Sequence, residues 1–323
     1  MRAKLFTETT VNKMKVLYMG TPDFAVEPLK ALVNNNYEVC GVVTQPDKPV
    51  GRKAILTPPP VKVQADELGI KVYQPQTLKN GEGMEILREL NPDIVVVVAY
   101  GKILPKDFLE YTKYGCINIH GSILPKYRGA APIQRCVLDG EEFAGVTSMQ
   151  MDVGLDTGDM LLVEKTKIGE NETAGELFDR LAPMGAELLI KTLIAIEKGE
   201  IVPQKQDDAE STYASMLDKS MSPVDFNKTA QEVHNQIRGL DPWPVALTYL
   251  EGKSLKLFGS SISKDLNGGK AGETRALKNG LAIFCGDGKA VVVSQVQFEG
   301  KKRMNAADFL RGNPIPDGTV LNS

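Results

Sequence analysis

Residues 93–101 read DIVVVVAYG. An isoleucine and four consecutive valines leave no polar alternation, so the segment has no face for water. A run this short, bounded by Asn-Pro and Gly, has the length of a strand covered on both sides rather than of a helix. The flanking sequence has the matching rhythm. Upstream, KVLYM (15–19) precedes a helical stretch over 23–34, YEVCGVVT (37–44) precedes one over 61–68, and KVYQ (71–74) precedes GMEILREL (83–90). Downstream, a short helix near 106–112 leads to GCINIHG (115–121). This β-α-β alternation predicts an α/β fold built on a Rossmann-like, doubly wound parallel sheet. Such sheets bind ligands beyond the carboxyl ends of their strands.

The remaining chain reads differently. Thr173 and Glu176 form a capping box that opens a helix reaching Lys198, with Pro183 expected to kink or split it. Residues 200–217 are polar and aperiodic, as in a linker. A second capping box, Thr229 with Glu232, starts a helix that aligns Val233, Ile237 and Leu240 on one face. Four short strand-like runs follow, LTYLEG (247–252), SLKLFGS (254–260), LAIFCGDG (281–288) and AVVVSQVQFEG (290–300), separated by turn residues. They predict a small β-barrel or sandwich. The expected organisation is an extension over 1–13, a first domain over 14–199, a linker over 200–217 and a second domain over 218–323. A length of 323 residues agrees with about two domains.

Composition excludes several classes. Net charge is −3, yet residues 219–323 hold 14 Lys/Arg against 10 Asp/Glu, a local +4 that leaves −7 for the rest. The C-terminal part therefore has the balance of a surface that meets an anion. Cys40, Cys116, Cys136 and Cys285 show neither C-x-x-C spacing nor a disulfide framework, and with two histidines no zinc site is expected. The thiols suit a reducing cytosol. No apolar run approaches the ~18 residues of a membrane span, and the first 13 residues lack the apolar core of a secretory signal. After the first strand comes GTPDF (20–24), without the G-x-G-x-x-G of a nicotinamide site or a phosphate-binding loop.

Two stretches carry chemistry. In INIHGSILPKYRGAAPIQR (117–135), Asn118 and His120 project to the same face of a strand end. In MQMDVGLDTGDM (149–160), Asp152 and Asp159 have the setting of ordinary turn residues, whereas Asp156 lies between glycines that allow close approach. An amide, an imidazole and a carboxylate brought together would suit acyl transfer to an amine. The amide and imidazole stabilise an oxyanion, and the His–Asp pair moves a proton. His234, beside an apolar stripe, reads as structural. Trp243, between two prolines, reads as a packing anchor.

These stretches, with GTPDFAVEPL (20–29), TQPDKPVGR (44–52), VVVVAYGKILP (95–105), RGAAPIQR (128–135), DVGLDTGDM (152–160) and DPWPVALT (241–248), resemble the methionyl-tRNA formyltransferase family over nearly the whole chain from Met14. The resemblance implies a formyltransferase domain followed by an OB-like β-barrel. It implies formyl transfer from 10-formyltetrahydrofolate to the α-amine of initiator methionyl-tRNA in the cytoplasm, by a monomer, without metal, nicotinamide or membrane. Asn118, His120 and Asp156 match the family's catalytic trio. Ser122, Ile123, Leu124 and Pro125 match its folate-contacting S-L-L-P, with Ile123 in place of Leu, and Val97, Tyr100 and Gly101 lie in the segment resembling the pterin wall. Arg52 and Lys53 lie in the loop resembling the one that enters the acceptor stem, with fewer positive charges after Arg52 than in more basic versions. Lys301, Lys302 and Arg303 form the densest basic cluster of the domain that contacts tRNA. A formyltransferase acting on a small amine, such as an amino sugar nucleotide, would share the trio and is the alternative.

Overall fold

Five consecutive buried residues, Ile94–Val98, form the middle of a seven-stranded sheet, as seen in a computed structural model that describes residues 13–51 and 53–321. The sheet order is Met160–Lys167, Phe143–Gln150, Cys116–His120, Ile94–Val98, Lys15–Gly20, Glu38–Val43 and Val72–Tyr73. The chain starts in the middle, winds outward to Val72–Tyr73, then returns to the other side of its first strand. That reversal is the switch point where doubly wound sheets open a crevice. Ile94–Val98 pairs in parallel with both Lys15–Gly20 and Cys116–His120, while Phe143–Gln150 runs antiparallel to Cys116–His120.

The chain divides into two compact units. One holds the residues up to His120 with Val146–Val163 and Ala182–Gln206, and the other holds Gly121–Gly145, Glu164–Leu181 and Asp207–Ser323. In the first, Leu17, Met19, Val95 and Val97 alternate onto one sheet face and pack with Leu87, Phe108 and Cys116. Residues of opposite parity are equally buried on the other face, where Gly185 leaves room for Ile119. The helix Ala174–Lys198 keeps its capping box, Thr173 accepting from the Glu176 amide and Glu176 from the Thr173 amide. Pro183 sits inside this helix without dividing it.

In the second unit, Thr229 and Glu232 cap Ala230–Gly239, and Val233, Ile237 and Leu240 are buried as their spacing requires. They enter a core with Leu255, Leu257, Ile283, Val291 and Val293 from an antiparallel sheet ordered Leu247–Leu250, Lys253–Asn267, Lys289–Phe298, Gly280–Phe284 and Thr274–Leu277. The antiparallel strands agree with the reading above; the finer OB-like assignment rests on the resemblance. Trp243 departs from expectation, being 51% exposed while Leu240, Val245 and Ala246 supply the packing around it. The flanking prolines confine the backbone without directing the indole inward.

His234 is structural and 1% exposed. Its Nε2 faces the Glu170 carbonyl oxygen at 2.9 Å, which can only accept, so Nε2 carries the proton and Nδ1, 2.8 Å from the Ser260 hydroxyl, accepts. Burial, aided by the Arg238 cation, holds the imidazole pKa below its ordinary value. The unfolded chain therefore takes up a proton near pH 6.5 that the folded chain refuses until lower pH. Stability is full above about pH 6.5 and falls as pH drops toward the folded value. Urea unfolding between pH 7.5 and 5.5 should show this slope, at most about 1.4 kcal/mol per pH unit, reduced in His234→Gln. In the first unit, Leu17→Ala should cost about 2–5 kcal/mol, read as a lower denaturant midpoint with an unchanged slope.

Candidate active site

The strand Cys116–His120 is buried throughout, and its pleat sorts its side chains. Ile117 and Ile119 take one face; Asn118 and His120 take the other. Asn118 stands beside Val97 in the parallel ladder and opposite Met149 in the antiparallel one, while His120 stands opposite Thr147. Polar groups at these positions gain nothing for the sheet, since apolar side chains would pack there without desolvating a polar atom.

Asp156 reaches this face from the loop that joins Phe143–Gln150 to Met160–Lys167. Its Oδ2 lies 3.7 Å from His120 Nδ1, with the imidazole nearly covered and the carboxylate only slightly exposed. The separation suits an ion pair and exceeds a direct hydrogen bond.

The loop is built for that placement. Asp156 adopts φ +53°, in the left-handed region that costs a residue bearing a side chain. The two glycines serve close contact. A Cβ on Gly158 would lie 1.7 Å from the Gln150 carbonyl oxygen, and one on Gly154 would lie 1.9 Å from Thr157 Oγ1. Asp152 has the turn role its setting suggested, accepting from the Gly154 amide at 3.0 Å and from Thr157 Oγ1 at 2.6 Å. Asp159 contributes its carbonyl to the Gln150 amide. Gln206 was invisible to sequence reasoning. Its Nε2 donates to the carbonyls of Asp156 and Gly158, both at 2.8 Å, and thereby fixes the backbone on either side of Thr157. It sits in the polar stretch 200–217, where no periodicity singles it out, and the neighbouring Gln204 pairs with Met160 through both backbone bonds.

The other singled-out residues distribute as follows. Val97 is buried beside Asn118, and Tyr100 and Gly101 follow at the carboxyl end of the same central strand. The Tyr100 side chain enters the apolar core, its hydroxyl unpaired among the described residues, while its carbonyl accepts from Thr21 Oγ1 and Gln45 Nε2. Ser122, Ile123, Leu124 and Pro125 belong to the second compact unit. There Ser122 Oγ donates to the Lys126 carbonyl at 2.7 Å, Leu124 is buried and Ile123 packs at Gly145. Arg52 lies outside the described residues, as do residues 1–12 of the N-terminal extension. Lys53, Lys301 and Lys302 are exposed. Arg303 is exposed too but is engaged by the protein: it stacks 3.9 Å over the Phe258 ring, donates to Gln295 at 2.7 Å and lies 3.5 Å from Asp241.

Burial pushes the thiols of Cys116, Cys136 and Cys285 up to about 12 and that of Cys40 to about 11, so none supplies a thiolate at neutral pH. Among the described residues, no group of three His, Cys, Asp or Glu side chains is placed to hold a metal ion, and no helix is long and apolar enough to cross a membrane.

The family pattern described as Formyl transferase matches residues 12–193, and that of the formyl transferase C-terminal domain matches 216–314. A methionyl-tRNA formyltransferase of Lachnospira eligens is 51% identical over 95% of this chain and 99% of its own. One of Alkaliphilus metalliredigens is 50% identical over 95% and 98%. Among solved structures, the N-formyltransferase from Helicobacter canadensis, in complex with folinic acid and dTDP-3-aminofucose, aligns with a TM-score of 0.68 at 24% identity, covering 87% of this chain and 98% of that one, a likeness of fold. Near-50% identity along almost the full length of both partners, together with the matched formyl transferase pattern, makes this chain a member of the methionyl-tRNA formyltransferase family of formyl transferases.

Proposed function

We propose that this protein transfers the formyl group of 10-formyltetrahydrofolate to the α-amino group of initiator methionyl-tRNA. The observation that carries the reading is the approach of Asp156 to His120 Nδ1, 3.7 Å, on the strand face shared with Asn118. The amine nitrogen attacks the formyl carbon and forms the new C–N bond. The carbonyl oxygen becomes an oxyanion, which the Asn118 amide and the Nε2–H of a protonated His120 stabilise. Asp156 holds the imidazole ring and helps draw off the proton that the amine loses. Collapse expels the folate nitrogen, which takes a proton as it leaves. The formyl donor is a substrate, and Ser122–Pro125 with Val97, Tyr100 and Gly101 are its proposed contacts. Arg52, Lys53, Lys301 and Lys302 are the proposed cationic contacts of the tRNA, with Arg303 contributing from its stacked position. Residues 218–323 serve as the tRNA-facing domain.

The deciding assay supplies 10-formyltetrahydrofolate with charged initiator tRNA, free methionine, uncharged tRNA or an amino sugar nucleotide. Formylation of the charged tRNA alone is expected; product from the sugar alone would move the reading to small amines. Asn118→Ala and His120→Ala should each lower the single-turnover rate by about 10²–10⁴-fold with the fold retained by circular dichroism. Gly158→Ala, which drives a methyl into the Gln150 carbonyl, should match them although Gly158 bears no reactive group. Raising salt should weaken tRNA use but not folate use, since phosphate contacts release counterions.

A further inference from the structure

Both strands of the antiparallel hairpin Lys48–Val50 with Ile55–Thr57 are exposed at every residue. Val50, Ile55 and Leu56 are 56, 62 and 64% exposed, so no packing against the body sets the direction in which the hairpin points. Its aim must come from its base, where both legs are fastened. On the incoming leg, Gln45 Nε2 donates to the Tyr100 carbonyl at 2.9 Å, and Gln45 Oε1 accepts from Lys48 Nζ, in the first residue of the hairpin, at 2.6 Å. One side chain thus joins the end of the central strand to the hairpin. Gln74 Nε2 donates to both the Gln45 carbonyl, at 2.9 Å, and Asp47 Oδ1, at 2.7 Å. The outgoing leg passes through three prolines into the helix Pro60–Glu67, and Lys62 on that helix reaches back to both Asp47 oxygens at 2.9 Å. The Asp47–Lys62 pair therefore closes the base.

Two further features show that this base is specified. Gly101 has φ +80°, and a Cβ there would lie 2.5 Å from Gln45 Nε2, so the amide occupies the space a side chain would need. The Gln74 amide and then the Lys62 ammonium hold the Asp47 carboxyl below the usual carboxylate range.

We infer that Gln45 and Asp47 are positioning residues that aim the hairpin from the carboxyl end of the central strand, setting how the enzyme accepts its tRNA substrate. The inference rests on the proposed tRNA substrate. Neither side chain needs to touch the reacting atoms. Gln45→Ala removes the tie to Tyr100, and Asp47→Asn removes the charge and one of the two acceptors that Lys62 holds. Each variant should raise KM for methionyl-tRNA about tenfold, equivalent to about 1.4 kcal/mol. KM for 10-formyltetrahydrofolate, kcat and Tm should stay within about twofold or a degree or two of wild type. Lys62→Arg should retain most of the wild-type KM, and Lys62→Ala should not. Hydrogen exchange on the full chain should show faster exchange of backbone amides in 48–57 in both variants, without change in 94–98.

An unaltered KM for tRNA, or equal losses in both substrates and kcat, would overturn the inference. So would unchanged exchange in the hairpin. If wild-type enzyme formylates no tRNA, the functional reading falls, while the exchange result still decides whether Gln45 and Asp47 anchor the hairpin.

Discussion

The parallel pairing of Ile94–Val98 with Lys15–Gly20 on one side and Cys116–His120 on the other is the constraint on which the first unit depends. These strands are nearly free of water on both faces, so their register cannot slip without moving whole sets of apolar side chains. Fixing the register fixes where the strands end. Gly20, Tyr100 and His120 consequently lie at one edge of the sheet, and the loops that follow inherit their starting points from it. Gly20 itself is pressed between the Ala25 methyl and the Val98 carbonyl, where a side chain would separate the first strand from both the following helix and the central strand.

One strained loop meets this rigid frame. Asp156 is the left-handed residue, while the glycines beside it remain where contact forbids a methyl. The backbone cost at Asp156, of order 1–3 kcal/mol, must be met by bonds that hold the loop. Asp152 to Gly154 and Thr157, and Gln206 to the carbonyls on either side, supply them. The Asp156 carboxylate oxygen stands 3.7 Å from the imidazole on a backbone held by these bonds.

Much of this was legible because it depends on short-range periodicity. The valine run named the central strand, a period of two placed Asn118 and His120 on one face, and the two capping boxes located helix starts that the structure keeps. Glycines around Asp156 signalled close approach, which the structure explains by contact with Gln150 and Thr157. What escaped reading depends on distant partners. Trp243 lies between prolines in a sequence that favours burial by residue type, yet its neighbours fill the core and it stays exposed. Arg303, grouped with two lysines by sequence, is held by Phe258, Gln295 and Asp241 from separate parts of the chain. Gln206 acts across 48 residues on a loop it does not resemble in any pattern.

The choice of glutamine for these distant ties has a physical basis. Gln45, Gln74, Gln150 and Gln206 each donate Nε2 to backbone carbonyls, those of Tyr100, Gln45, Cys116, and Asp156 with Gly158 respectively. A carbonyl accepts only, so the amide nitrogen must face it. Lysine or arginine could make the same bonds, but a fixed cation at each position would alter the field around the Asp156 carboxylate and the His120 imidazole, and a buried cation without a partner is expensive. A neutral amide fastens the strand ends without that effect. Twice the amide lies where a Cβ would stand, 2.5 Å from the ideal Cβ of Gly101 for Gln45 and of Gly115 for Gln150, both glycines at positive φ. A positive-φ glycine with a glutamine amide over its α-carbon thus recurs as one device: the glycine turns the chain at the sheet edge, and the amide locks the turn without adding a charge.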